Sequence, residues 1–142
     1  MSFGYPGVIT KYSERLSAGL PPVIYGNGDQ TRDFVFVDDV VSAIVLSARV
    51  TDNKQKAKSA SHIPPSDAHV LNVGTGRALK IRDLAQMMIK IFNLDLEPVF
   101  AEPRRGDIVN SLADISRLQT VLGFVPSSEI EPYLKQMFIH SK

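Results

Sequence analysis

The chain has no cysteine. That excludes a disulfide scaffold, thiolate catalysis and any zinc–thiolate site, and it fits a reducing compartment. No apolar run approaches the ~20 residues that a membrane-spanning helix needs. The opening residues MSFGYPG show no signal-peptide pattern. Net charge is only +1, too small for nucleic-acid binding driven by bulk charge. The histidines His62, His69 and His140 are scattered, with no i,i+4 pair and no metal-ligand spacing. No internal repeat is visible. These absences predict a soluble, cytoplasmic protein. What remains is an ordinary globular composition: 44% hydrophobic and 22% charged over 142 residues. That is the length of one domain, able to bury roughly 70% of its unfolded surface.

Periodicity organises the chain. Val8, Ile9, Tyr12, Leu16 and Leu20 recur at helical spacing before Gly19 and Pro21-Pro22, which predicts a helix over 7–18. VIYGNGDQTRDFVFVDDVV (23–41) reads as strand, tight turn, strand and the start of a helix. Val23–Tyr25 and Phe34–Val37 are the strands, Gly26–Asp29 the turn, and Asp38 the N-cap of a helix ending near Arg49. Residues 51–68 are polar and proline-bearing, a long loop. His69–Val73 is a short apolar strand closed by a turn at Gly74-Thr75-Gly76. Ile81, Leu84, Ala85, Met88, Ile89 and Phe92 mark a second helix. Residues 97–101 form a strand and 103–107 a charged loop. Asp114 caps a short helix stopped by Gly123. Ser128 with Glu131 forms a capping box for the last helix. Helices alternating with short strands give an α/β chain, α+β if it stands alone.

The residues suited to chemistry are few. Arg32 and Arg104 carry guanidinium forks, which match a diphosphate with paired, charge-assisted hydrogen bonds. On their own, surface arginines more often just solvate a protein. Asp33 can pair with a neighbouring arginine, and Asp39 suits the first turn of a helix. Gly26-x-Gly28 and Gly74-x-Gly76 lack the third glycine and the strand–helix context of a dinucleotide-binding turn.

GNGDQTRDFVFVDDVVSA, LNVGTGRALKIRDLA (71–85), PRRGD (103–107) and ADISRLQTVLGF (113–124) occur in this order over nearly the whole chain. Together they resemble the C-terminal, substrate-binding part of extended short-chain dehydrogenases acting on nucleotide sugars, of the NAD-dependent epimerase/dehydratase family. The likeness is to the UDP-glucose 4-epimerase group. The resemblance implies the substrate portion of a Rossmann-type protein. Arg32 and Arg104 would hold the UDP diphosphate and Asp107 the ribose hydroxyls. Val23 and Tyr25 would line the uracil pocket, although Tyr25 reads equally as a half-buried strand tyrosine. Val8 and Ile9 would contact the nucleotide through backbone, their side chains serving also as helix core. The loop at 51–68 is longer than the family's usual connection there. TRDF, PRRGD and ADISR favour epimerases over related dehydratases, which place tryptophan where this chain has Phe34, and over decarboxylases, which tend to read TRSF. Those two activities are the alternatives, together with a non-catalytic sugar-nucleotide-binding module.

Family members of this kind use NAD, a Gly-rich turn to hold it, and a Tyr-x-x-x-Lys pair for proton transfer. The residues four positions after Tyr5, Tyr12, Tyr25 and Tyr133 are Ile9, Leu16, Asp29 and Met137. The resemblance therefore implies a chain incomplete for catalysis alone and not expected to bind NAD alone, with an N-terminal Rossmann portion absent. The expected partners are a UDP-sugar and that portion or another chain, with a homo-oligomer possible through the edge of a 69–73 strand.

Overall fold

The computed structural model describes residues 7–52, 70–127 and 129–139. The expected loop at 51–68, beyond the helical residues 51 and 52, lies outside these, as do His62, His69, His140 and the Ser128 half of the capping box. A chain of one-domain length divides into two compact units. One comprises Met1–Arg32, Leu79–Asn110 and Glu131–Lys142, the other Asp33–Ala78 and Ser111–Ile130.

In the first unit, helix α1 (Val8–Ser17) buries Tyr12 and Leu16 on one face. It ends where Gly19 adopts φ +68°, so that the Leu20 N–H reaches Arg15 O at 2.9 Å and the Gly19 N–H reaches Leu16 O at 3.0 Å. Strand β1 (Val23–Tyr25) pairs in parallel with β4 (Val99–Ala101). Strand β2 (Thr31–Arg32) pairs antiparallel with β3 (Leu79–Lys80), which runs directly into helix α3 (Ile81–Ile91). The expected apolar face of α3 is the observed one: Ile81, Leu84, Ala85, Met88 and Ile89 are all buried. With Ile24 they form the unit's core. Leu134 of α5 (Ile130–Ile139) is also buried. Phe138 of that helix meets Phe92 with ring centroids 5.2 Å apart, a tilted aromatic pair.

In the second unit, α2 (Val37–Asp52) contacts α4 (Ser116–Leu122), with Ala43 and Leu118 buried. Helix α4 stops at Gly123, in the left-handed conformation.

Three strand expectations are corrected. Val23–Tyr25 and Phe34–Val37 do not form a hairpin. Gly26 and Gly28, at φ +75° and +76°, turn the chain, and Gln30 Nε2 closes it onto Tyr25 O at 2.8 Å. The β1 backbone then pairs with β4. Phe34–Phe36 are in no strand and Val37 is already helical, because the chain leaves β2 at Asp33, whose carboxylate is engaged as described below. Residues 70–73 are likewise in no strand, which removes the basis for pairing through a 69–73 edge. A strand needs a neighbour for its N–H and C=O groups, and β-propensity alone supplies none.

Two caps also differ. Asp38 lies inside the first turn of α2, and the helix starts with the Val40 N–H on Phe36 O at 3.2 Å. Asp114 precedes the N-cap position of α4 and accepts the Ser116 N–H at 2.9 Å. Among the described residues, no helix is long and apolar enough to cross a membrane.

Candidate functional site

All seven residues assigned to the substrate by sequence lie in the first unit. Val8 and Ile9 open α1 and are half-buried. Val23 and Tyr25 flank the fully buried Ile24 on β1. Arg32 ends β2. Arg104 and Asp107 belong to the loop after β4, where the Asp107 N–H donates to Arg104 O at 3.2 Å.

The parallel β1–β4 pairing carries this loop to the β1 end, since the Gly26 N–H donates to Ala101 O at 2.9 Å. There the Arg104 guanidinium lies over the Tyr25 ring, with Cζ 3.7 Å from its centre, in cation–π contact. Arg104 holds the Tyr25 phenol below its ordinary pKa, mainly by a hydrogen bond to the oxygen. Arg32 Nη2 meets Asp107 Oδ1 at 2.8 Å. Its Nη1 donates to Thr31 O at 2.8 Å and Ile108 O at 2.6 Å. The loop is tied to β2 by the Thr31 N–H on Val109 O, at 2.8 Å. Arg32 is thus held to the loop after β4, and Arg104, within that loop, contacts β1.

Two features escaped the sequence reading. The first is Ile108 O, which no side-chain pattern could announce. The second is Asp33, expected to pair with an arginine. In the second unit it instead accepts the Thr75 N–H (2.9 Å), Thr75 Oγ1 (2.6 Å), the Gly76 N–H (3.0 Å) and the Ala113 N–H (3.3 Å). Burial is the largest single influence on this carboxyl and raises its pKa. The four donors together outweigh it and leave the pKa lowered. An open hollow of about 350 Å³ adjoins, lined by Asp33, Asn72, Gly74, Ser111 and Asp114 among others. The adjacency of polar Thr75 to two glycines was the available signal for an anion-binding backbone; the anion is internal.

The Thr75 and Gly76 N–H groups that could cradle a pyrophosphate already serve Asp33. Gly26-x-Gly28 leads into β2 rather than a helix. Neither turn has the strand-to-helix arrangement with free N–H groups of a dinucleotide-binding turn. Among the described residues there is also no cluster of His, Asp and Glu able to hold a metal.

Helices mixed with short parallel and antiparallel strands define the class, one shared with part of the Rossmann-type epimerases. The NAD dependent epimerase/dehydratase family matches residues 2–74, just over half of the chain, and the chain belongs to that family. It is 37% identical over 123 residues to a UDP-glucose 4-epimerase of Mycolicibacterium smegmatis, covering 87% of this chain and 35% of that protein. The solved UDP-N-acetylglucosamine 4-epimerase of Methanobrevibacter ruminantium M1, in complex with UDP-N-acetylmuramic acid, superposes with a TM-score of 0.77 at 31% identity, over 99% of this chain and 42% of that one. The UDP-glucose 4-epimerase of Thermotoga maritima, with UDP-glucose, gives a TM-score of 0.73 at 34% identity, over 94% and 38%. The chain therefore spans well under half the length of these relatives.

Proposed function

We propose that this chain is the nucleotide-sugar-binding part of a UDP-glucose 4-epimerase-like isomerase, and that it holds the UDP diphosphate through Arg32 and Arg104. The observations that support this reading are two contacts in one unit, Arg104 with Tyr25 and Arg32 with Asp107, made by residues of one loop that the β1–β4 pairing carries to the end of β1. Two guanidiniums supply the charge and geometry for a diphosphate. Tyr25 offers a flat face for a base, and Asp107 a carboxylate for ribose hydroxyls. Val23, Val8 and Ile9 contribute the apolar side. The aligned relatives named for UDP-sugars support uridine as the nucleoside.

The test is calorimetric titration of the chain with UDP, UDP-glucose and NAD. UDP is expected to bind. Arg32→Ala and Arg104→Ala are each expected to weaken it about tenfold or more, the loss of one charge-assisted pair. NAD is expected to give no heat. UDP affinity unchanged in both variants would overturn the assignment.

Cofactor and proton-transfer chemistry, on this reading, belong to polypeptide of the kind that forms the rest of the relatives. Helix α2 supports such a partner. Val37, Val41, Ile44 and Val45 recur at i, i+4, i+7 and i+8 and are all exposed, Ile44 by 63%, an apolar stripe that water does not favour. The chain should co-purify with the segment of the Mycolicibacterium relative that has no counterpart in it. Ile44→Glu should abolish that association and leave UDP titration of the chain alone unchanged. Association that survives the glutamate would place the partner elsewhere.

A further inference from the structure

The groups assigned above to the nucleotide are held by one another. Arg104 covers one face of the Tyr25 ring, the group assigned to the base, at 3.7 Å. Asp107, assigned to the ribose, is joined to Arg32, assigned to the diphosphate, at 2.8 Å. The two contacts are linked, because the Asp107 N–H donates to Arg104 O across one turn at 3.2 Å. A base and a guanidinium cannot share one ring face at van der Waals distance. Arg32 differs from Arg104 in one respect: its bonds to Thr31 O and Ile108 O hold it in place independently of Asp107.

We propose that the site is self-occupied and that the nucleotide enters by exchange: the base takes the Tyr25 face from Arg104, and the diphosphate receives the displaced guanidinium. This rests on the diphosphate assignment made above and adds to it a coupling between its parts. A nucleoside alone must evict Arg104 without offering it a new partner. Pyrophosphate alone must draw Arg104 off the ring. Only a molecule with both parts does each with the help of the other. Arg104 thereby acts as a specificity element that disfavours free nucleosides and free polyphosphates, while Arg32 is the fixed anchor.

The exchange predicts effects of opposite sign on two ligands, measured by calorimetry on the whole chain. Tyr25→Leu removes the ring that holds Arg104. Inorganic pyrophosphate should then bind about two- to fivefold more tightly, the worth of an exposed cation–π contact, while UDP binds more weakly. Pyrophosphate affinity that is unchanged or reduced in Tyr25→Leu, with wild type binding it measurably, overturns the exchange and leaves the diphosphate assignment standing. Pyrophosphate and UDP both failing to bind the wild-type chain overturns the assignment and the exchange with it. A second measurement needs no variant. Arg104 is the leading cause of the lowered Tyr25 phenol pKa, whereas burial holds Tyr12 up at about 12. Saturating pyrophosphate should therefore move the earliest phenol ionisation, followed by ultraviolet absorbance, to higher pH. No movement at saturation overturns the exchange.

Discussion

Asp33→Ala is expected to destabilise the second unit by about 3 kcal/mol, read as a lower midpoint in urea with an unchanged slope. The substitution removes the acceptor for three backbone N–H groups and one hydroxyl. Thr75 suffers most: it is only 7% exposed, so its orphaned N–H cannot turn to water. A buried donor left without a partner costs about 1–3 kcal/mol. Asp33 is partly exposed, which screens its bonds to Gly76 and Ala113 and keeps the total near the lower sum. Asp33→Asn, which keeps one carbonyl oxygen, should lose less.

The same carboxylate sets an acid dependence. Its pKa is lowered in the folded chain, so the folded state takes up this proton less readily than the unfolded one. The contribution to stability is complete above the ordinary aspartate range near pH ~4 and is lost as pH falls through the depressed folded value. Wild type and Asp33→Ala should therefore differ most at neutral pH and converge in acid. A gap that does not narrow below pH ~4 would assign the effect to lost packing rather than to the charge.

Gly74→Ala is expected to cost about 2–3 kcal/mol by overpacking. A β-carbon at this position would come within 2.5 Å of Ala113 Cβ and 2.7 Å of Asp33 Oδ2. Neither neighbour yields freely. The alanine carbon is fixed to backbone, and Asp33 Oδ2 is held by the Gly76 and Ala113 N–H groups. Because Gly74 and Asp33 share these contacts, the double variant should lose less than the sum of the single losses. Strict additivity in urea denaturation would separate the glycine's role from that of the carboxylate.

The helices were legible because their information is local. The 3.6-residue recurrence of Ile81, Leu84, Ala85, Met88 and Ile89 names the buried face of α3 from spacing alone, and the Gly19 and Gly123 stops are where they were expected. Three of the candidate substrate residues, Arg32, Arg104 and Asp107, stand in TRDF and PRRGD. Their contacts were not legible there. Arg32 and Asp107 are 75 positions apart, and nothing in either segment selects the other. The failure of the Val23–Tyr25 hairpin has the same origin. Two β-forming runs around a glycine turn suit a hairpin, but β1 pairs with Val99–Ala101 instead and packs beside α3 with Ile24 fully buried.

By itself the sequence determined the family, the helical faces and the residue types available for a diphosphate, since each of these resides in short contiguous patterns. Only the tertiary structure decided which backbone each strand joins, that Asp33 clasps the Gly74–Gly76 turn, and that Arg104 covers Tyr25. Hydrogen-bond and ion partners are chosen by proximity in space, and that proximity comes from burying apolar faces across the whole chain, a cooperative property that no single segment encodes.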